Sequence, residues 1–253
     1  RYNTFGWEMA APVCRLTFSR RSLDWCDVEP VTVKEVRPRE ALPLIAAHHT
    51  ERACHTRRPH LGEQLRRPDL RTWIADDGYV IAKGQAHDHI KIIELASASG
   101  DEGGLLRAVL EWNFAEDVTW QLSIWERERI ARVMPYAAGW RMDEHGMVRI
   151  NNLPALLTAA LPWLEQRAPA LRDTTITLHL AEHDRDATAT LTVRNGAVDV
   201  RAGQPTARAI NLSPLDAARL IFGGPAPAGV EQLPPGIRAL FPLPLYVPPL
   251  DRV

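Results

Sequence analysis

The sequence is poor in lysine and cysteine and carries no excess of positive charge. Three of its 253 residues are lysines, and 30 basic residues balance 31 acidic ones to a net charge of −1. Strong binding to nucleic acid or to an anionic membrane needs a basic field, so the balance argues against both. Cys14, Cys26 and Cys54 are odd in number, widely spaced and form no CxxC pair. This pattern favours reduced thiols in a cytoplasmic protein over a disulfide framework.

Long apolar runs and common catalytic loops are also missing. No apolar run approaches the roughly 20 residues that a membrane-spanning helix requires. The patterns GxSxG, GxGxxG and the Walker loop do not occur. Gly103-Gly104 could suggest a phosphate loop, but Asp101 and Glu102 precede it and would repel a phosphate. We interpret these two acids as first-turn charges that favour the helix dipole.

A histidine-rich segment, HHTERACHTRRPH, is the candidate for a metal site. On a helix His48, Glu51 or Arg52, and His55 would share one face, with Cys54 adjacent. Zinc needs three or four converging ligands, and only Glu51 and His55 have good i, i+4 spacing. The segment therefore predicts a partly exposed polar helix and no metal site. The HDH triplet at 87–89 is likewise predicted to be a solvated end of a hairpin.

What the sequence does contain is typical of a globular protein. Apolar residues make up 45% and charged residues 24%, and 253 residues suffice for one large domain or two ordinary ones. Up to residue 150 the patterns alternate between strands and helices and predict a mixed α/β unit near 30–150. The predicted strands lie at 13–23, from Val31, and at 71–77, 79–89, 90–97, 118–126 and 139–150. The predicted helices lie at 38–53, 101–114 and 127–135.

The pattern changes after residue 150 and predicts an α+β unit near 151–245. One amphipathic helix is expected over 151–169. Asn195-Gly196 predicts a two-residue hairpin turn, because both residues tolerate positive φ. Ser213, Pro214 and Asp216 predict an N-cap, a first helical position and a capping box, and Gly223-Gly224 ends that helix. A last short helix is expected within 229–242, followed by a Pro-rich tail.

Several segments, in order, resemble one known family. YNTFGWEMA resembles the YxRFGYGxA signature of the enhanced intracellular survival (Eis) family of bacterial GNAT-type N-acetyltransferases. IIELASASGDEGGLLRAVLEW, GMVRINNLPALLTA and INLSPLDAARLIFGG with LPPGIRALFP are similar to later segments of that family. The chain departs from the family pattern at Thr4, Trp7 and Asn152. The resemblance covers nearly the whole chain.

The resemblance implies three domains and a fold class. Residues 1–29 would be the end of a catalytic GNAT domain, 30–150 a second, degenerate GNAT-like domain, and 151–253 a domain similar to sterol carrier protein 2. The expected fold class is therefore α/β plus α+β, a mixed-sheet domain followed by an α+β domain.

The resemblance also implies a chemistry. Tyr2 would be the general acid toward the leaving thiolate of acetyl-CoA, and the carboxylate of Val253, the last residue, would be the base. The family's acetyl-CoA loop would precede Tyr2 and is not in this sequence, so we expect residues 1–253 alone to be inactive. Acetyl-CoA would be a co-substrate, and no metal is implied. The acceptor would be an amine of the aminoglycoside, lysine or polyamine type, and the protein a homo-oligomer.

Two other functions remain open. Residues 151–245 could form a lipid- or sterol-binding carrier module, which would need apolar space not filled by side chains. The chain could instead be a scaffold that only oligomerises. In that case its tryptophans would belong to the core or to an interface, with core favoured for most of Trp112, Trp120, Trp125 and Trp163.

Overall fold

A computed structural model describes residues 8–50, 61–84, 89–181, 186–203, 209–223, 233 and 235–244. The strands are β1 (Glu8–Ser19), β2 (Lys34–Val36), β3 (Leu70–Ile74), β4 (Gly78–Lys83), β5 (Ile90–Ser97), β6 (Asp117–Ser123), β7 (Gly139–Val148), β8 (Thr174–Ala181), β9 (Asp186–Arg194), β10 (Ala197–Ala202) and β11 (Ile210–Leu212). The α-helices are α1 (Arg20–Trp25), α2 (Leu42–Thr50), α3 (Leu61–Gln64), α4 (Glu102–Asn113), α5 (Arg127–Val133), α6 (Leu153–Ala159), α7 (Leu161–Arg167), α8 (Pro214–Phe222) and α9 (Pro235–Leu240).

The described residues divide into two compact units. The amino-terminal unit contains residues 13–143, and the carboxy-terminal unit contains residues 8–12 and 144–244. Residues 13–29 thus belong with 30–143 in one unit, so no boundary between compact units falls at residue 29. The assignment of 1–29, 30–150 and 151–253 to three family domains stays a prediction.

The sheet of the amino-terminal unit is mixed. Its seven strands have the order β2-β3-β4-β5-β6-β1-β7. The pairs β2–β3, β3–β4, β4–β5 and β6–β1 are antiparallel, and β5–β6 is parallel. Helix α4 lies between β5 and β6 in the chain, because parallel neighbours can be joined only by a long crossover connection.

The sheet buries both of its faces. Along β4 the side chains alternate: Val80 and Ala82 join a cluster that includes residues of α4, and Tyr79 and Ile81 join a cluster that includes Ile45 of α2. Successive residues of a strand point to opposite faces, so α2 and α4 cover opposite sides. Burial on both faces explains the near-continuous apolar sequence of β4.

One sequence prediction at the start of this unit changes. The expected strand at 13–23 is a strand that ends at Ser19, followed by helix α1. The Ser19 side chain accepts a hydrogen bond from the backbone N–H of Ser22, and the Ser22 hydroxyl returns one to the Ser19 carbonyl. This local cap starts a helix where alternation alone predicted more strand.

No helix in the described ranges is long and apolar enough to cross a membrane.

The carboxy-terminal unit packs four helices on a second sheet of order β10-β9-β8-β11. Its strands are antiparallel except for the parallel pair β8–β11. The core is almost entirely aliphatic. It includes Leu157 and Leu164 of α6 and α7, Leu178 and Leu191 of β8 and β9, and Ile221 of α8.

The predicted hairpin turn and the Ser213 N-cap in this unit are confirmed, but the helix over 151–169 is not one helix. Asn195 and Gly196 have φ of 50° and 79° in the turn between β9 and β10, and the Ser213 side chain accepts from the Asp216 N–H at the start of α8. The expected single helix is α6 followed by α7, broken at Ala160. The second helix begins at Leu161 with Pro162 in its first turn, because a proline lacks an N–H and would clash with the preceding turn inside one continuous helix.

Candidate functional site

The candidate site lies where the parallel strands β5 and β6 part. They are paired from Ile90–Val118 to Ile92–Trp120. Beyond that point the remainder of β5 pairs with β4, and the remainder of β6 pairs with β1. The β4–β5 register also shifts between Ile81 and Ala82. A parallel pair that separates in this way opens a gap at the carboxyl ends of its strands, where ligands of open α/β sheets bind.

The start of α4 faces this part of the sheet, and the chain's own carboxylates occupy it. Asp101 is the N-cap, and its Oδ1 accepts from the Gly104 N–H at 2.9 Å. Glu102, the first helical residue, is fully buried. The N-terminus of a helix attracts negative charge, and here that charge is supplied within the helix itself.

Two arginines of the next helix hold Glu102. The Arg129 Nε donates to Glu102 Oε1 at 3.1 Å, and Arg132 donates through Nη2 to Oε1 at 2.9 Å and through Nε to Oε2 at 3.3 Å. The hydrogen bond to Glu102 raises the pKa of the Arg132 guanidinium. Arg129 also donates to Glu126 at 2.8 Å. A buried carboxylate is stable only when paired in this way.

The two glycines after Glu102 serve packing. A Cβ on Gly104 would lie 2.6 Å from Asp101 Oδ2 and 2.8 Å from Val31 Cγ1. A Cβ on Gly103 would lie 3.1 Å from the Tyr136 ring. The sequence interpretation of Asp101 and Glu102 as first-turn charges agrees with their positions. Their glycine neighbours are needed because side chains crowd the helix start.

An open cleft of about 480 Å³ lies beside these residues. It is lined by His48, Ser97, Trp125, Glu126, Arg127, Glu128, Arg129 and Arg132. The lining contains acidic and basic side chains and the indole ring of Trp125. Two of its cations, Arg129 and Arg132, already pair with Glu102.

Side-chain contacts connect the cleft with the interior of the sheet. The Nε2 of His48 lies 3.2 Å from the Asp77 carbonyl oxygen, and its ring contacts the ring of Tyr79 at 5.8 Å between centroids. The buried Tyr79 hydroxyl donates to Glu94 at 2.6 Å. Hydrogen bonds from Ser99 lower the pKa of the Asp77 carboxyl. The contacts with the Asp77 carbonyl and the Tyr79 ring hold the His48 side chain in place at the edge of the cleft.

Several residues singled out in the sequence lie outside the described residues. They include the two predicted catalytic residues and most of the histidine-rich segment: Tyr2, Val253, Glu51, Arg52, Cys54, His55 and His87. His89 is described; its Nδ1 contacts Asp117, and its Nε2 lies 2.9 Å from the Thr119 hydroxyl. Within the described ranges no group of three or more His, Cys, Asp or Glu could hold a metal ion.

The described cysteines and the four tryptophans are also placed. Cys14 is buried, which raises the pKa of its thiol, and Cys26 is exposed; both are free thiols. Trp120 is buried, and its ring lies 5.6 Å from the Arg129 guanidinium carbon. Trp112 is 46% exposed, and Trp125 and Trp163 are half-buried.

The sequence patterns did not reveal the Glu102–Arg129–Arg132 cluster. Arg129 and Arg132 follow Glu102 by 27 and 30 residues in the sequence. The one available signal was the i, i+3 spacing of the two arginines, which sets them on one face of a helix. That spacing did not identify their partner.

Comparison with solved structures identifies the fold. The chain is similar to a GCN5-related N-acetyltransferase from Kribbella flavida, with 20% identity, a TM-score of 0.56, and coverage of 88% of this chain and 59% of that one. It is also similar to a conserved protein of unknown function from Enterococcus faecalis V583, a probable N-acyltransferase, with 17% identity, a TM-score of 0.59, and coverage of 87% and 59%. This chain thus spans about three fifths of each.

Neither a protein-family model nor a curated protein matches the chain. The likeness to the two solved structures therefore establishes a mixed α/β fold shared with GNAT-type proteins. This confirms the mixed-sheet part of the expected fold class.

Proposed function

We propose that this chain is the carboxy-terminal part of an acetyl-CoA-dependent N-acetyltransferase of the Eis type that acts on an amine substrate. The supporting observation is the fold: a parallel β5–β6 pair that parts beside α4, in a chain similar to two structures described as N-acetyltransferase and probable N-acyltransferase. The family segments in the sequence add the proposed membership and the amine class.

The start of α4 does not fit acetyl-CoA. Phosphates bind helix starts that offer free backbone N–H groups and a nearby cation. Here the Asp101 side chain accepts a hydrogen bond from the Gly104 N–H, and Glu102 forms ion pairs with Arg129 and Arg132. A phosphate would meet two carboxylates. In this proposal acetyl-CoA therefore binds a separate catalytic domain, and residues 13–143 are a GNAT-fold unit with an accessory role.

The proposed reaction is transfer of an acetyl group from sulfur to nitrogen. The amine nitrogen attacks the thioester carbonyl carbon, the new C–N bond forms, and the C–S bond breaks. Tyr2 gives its phenolic proton to the departing thiolate, and the carboxylate of Val253 accepts the proton that the attacking amine loses. The amine is an aminoglycoside, a polyamine or a lysine side chain.

The test is thiol release from acetyl-CoA by a protein that contains this chain and a catalytic GNAT domain. Tyr2→Phe should lower kcat by about 10²–10⁴-fold, the usual contribution of general acid catalysis. Tyr136→Phe is the matched control and should leave kcat unchanged. Deletion of Val253 should also lower kcat, and full activity without it would contradict the role of the carboxylate.

A second measurement tests the accessory role. Titration of coenzyme A into the 253-residue chain should give no binding, because its α4 start is occupied. Saturable binding that responds to substitution of Arg129 or Arg132 would contradict the proposal.

The carrier function is the alternative for residues 151–253, and the sterol-carrier-like fold stays a prediction. A cleft of about 370 Å³ on β9 and β10 is lined largely by polar side chains, among them Thr190, Thr192, Arg194, Asp199 and Arg201. Such a lining does not suit an acyl chain. Saturable binding of a fluorescent fatty acid to the full chain would favour the carrier function.

A further inference from the structure

The starts of strands β5 and β6 bring an aspartate, a histidine and a threonine together. The parallel register sets Ile90 beside Val118, so His89, directly before β5, lies beside Asp117, the first residue of β6. Asp117 and Thr119 are two residues apart on one strand and share a face of the sheet. These three side chains, the β5–β6 triad, lie at the amino ends of the two strands. The candidate site described above lies at their carboxyl ends.

Hydrogen bonds link the three side chains in a defined direction. The Nδ1 of His89 contacts a carboxylate oxygen of Asp117, and its Nε2 lies 2.9 Å from the Thr119 hydroxyl oxygen. An ionised carboxylate only accepts hydrogen bonds, so Nδ1 carries the proton that it donates to Asp117. In a neutral imidazole Nε2 is then the acceptor, and the Thr119 hydroxyl donates to it. A hydroxyl, a base and a group that orients the base are the arrangement that activates an oxygen nucleophile.

The triad is open to a reactant. The side chains of His89 and Asp117 are 51% and 41% exposed, and Thr119 is half-buried. Val118 and Trp120, on either side of Thr119, are buried in the cluster that includes residues of α4. Thr119 therefore points to the other side of the sheet. A small ester can reach its hydroxyl from solvent.

A lysine lies beside the threonine. The parallel register pairs Lys91 of β5 with Thr119 of β6. Neighbouring strands lie about 4.8 Å apart, and paired residues share a face of the sheet. Positive charge at this point would stabilise the oxyanion that forms when a hydroxyl attacks an ester carbonyl.

We propose that Thr119 is a nucleophile that hydrolyses short acyl esters, with His89 as its general base. The Thr119 Oγ1 attacks the ester carbonyl carbon and gives its proton to His89 Nε2. The new C–O bond forms, the bond to the leaving oxygen breaks, and His89 passes the proton to that oxygen. Water then attacks the Thr119 ester by the same route, which releases a carboxylic acid and restores the hydroxyl. Asp117 is a positioning residue, because it acts through His89.

The test uses p-nitrophenyl acetate and the full chain with Cys26→Ser and Cys54→Ser, since free thiols also react with this ester. We expect nitrophenolate release and, after an acid quench, an acetyl group on Thr119 located by mass spectrometry. Thr119→Val should remove both the label and most of the release, and Thr119→Ser should keep them. Thr17→Val on β1 is the matched control and should change neither. Thr17 is paired with Thr119 in the sheet, but no described histidine hydrogen-bonds to its hydroxyl.

Two further positions test the roles of the other members, with circular dichroism to confirm that each variant is folded. His89→Ala should slow acetylation of Thr119 about 10²-fold, the lower end for general base catalysis, because the site is open to water. Asp117→Asn should slow it nearly as far, and Asp117→Glu, which keeps a carboxylate, should recover part of the rate.

Three results would overturn the proposal. The first is nitrophenolate release that Thr119→Val leaves unchanged. The second is acetylation of Thr119 that His89→Ala does not slow. The third is an acetyl group on Lys91 and none on Thr119. The proposed acetyl transfer to amines is tested separately, because this activity needs neither coenzyme A nor a catalytic GNAT domain.

Discussion

Helices α4 and α8 both begin with a side-chain N-cap, but the acidic residues of their first turns lie in different surroundings. At α4 the Asp101 side chain accepts from the Gly104 N–H at 2.9 Å, and at α8 the Ser213 hydroxyl accepts from the Asp216 N–H at 3.1 Å. Behind the first cap Glu102 is fully buried between Arg129 and Arg132. Behind the second, the partly exposed Asp216 accepts from Ser213 at 2.7 Å.

The difference is between hydrogen bonds made within one helix start and ion pairs made with another helix. Both caps satisfy a backbone N–H that no helical carbonyl can reach. Glu102 does more, because it neutralises two arginines from another helix and fills the position at which this fold could present a helix start to an anion. Its burial ties the stability of α4 to α5.

The largest predicted effect is that of Glu102→Ala. The substitution removes three hydrogen bonds from a buried carboxylate, but Arg129 keeps Glu126 and Arg132 is half-exposed, so we expect a loss of about 2–3 kcal/mol of unfolding free energy. Asp216→Ala at α8 is the control and should cost about 1 kcal/mol or less. Urea unfolding of both variants measures the difference. Equal losses would show that the two helix starts are energetically alike.

Substitution of the caps themselves should show no such contrast. Asp101→Ala and Ser213→Ala each remove one hydrogen bond to a backbone N–H and should each cost about 1 kcal/mol. The same unfolding experiment measures both. A loss at Asp101 as large as that at Glu102 would assign the tertiary role to the cap.

The smallest effect concerns Glu35, a carboxylate of intermediate exposure. Arg71 donates to its two oxygens at 2.8 and 2.7 Å, and this hydrogen bonding lowers the pKa of Glu35 below its ordinary value of 4.5. The stabilisation is therefore complete above that value and is lost as the pH falls through the lower folded-state pKa. Glu35→Gln should cost about 0.5 kcal/mol at pH 7, because the side chain is partly solvated.

The difference between wild type and Glu35→Gln should shrink in urea unfolding below pH 4. A constant difference from pH 7 to pH 3 would mean that charge at this residue does not stabilise the fold.

Local rules predicted local structure here. The Asn195-Gly196 turn, the Ser213 cap and the end of α8 at Gly223 depend on residues within a few positions of one another, and all three are confirmed. The prediction over 151–169 failed because periodicity outweighed Pro162, whose effect on the helix is equally local.

Pairings distant in sequence were beyond those rules. The sequence showed strands at 90–97 and 118–126 but not that they run parallel, and it showed Glu102 without Arg129 and Arg132. Alternation and helical period describe which face of an element is apolar; they do not say which element lies against it. The candidate site depends on such pairings, so its residues emerged only from the fold.

Glu102 also sets a barrier to redesign and to evolutionary change. A single substitution that cleared the start of α4 for a phosphate would cost about 2–3 kcal/mol of the roughly 5–15 kcal/mol by which a typical domain is stable. The accessible route changes Glu102 together with its arginines, since replacement of a whole buried cluster by packed apolar side chains is often neutral. That route removes Arg129 and Arg132, the cations that a phosphate would need. Neither route therefore yields a stable phosphate site at the start of α4.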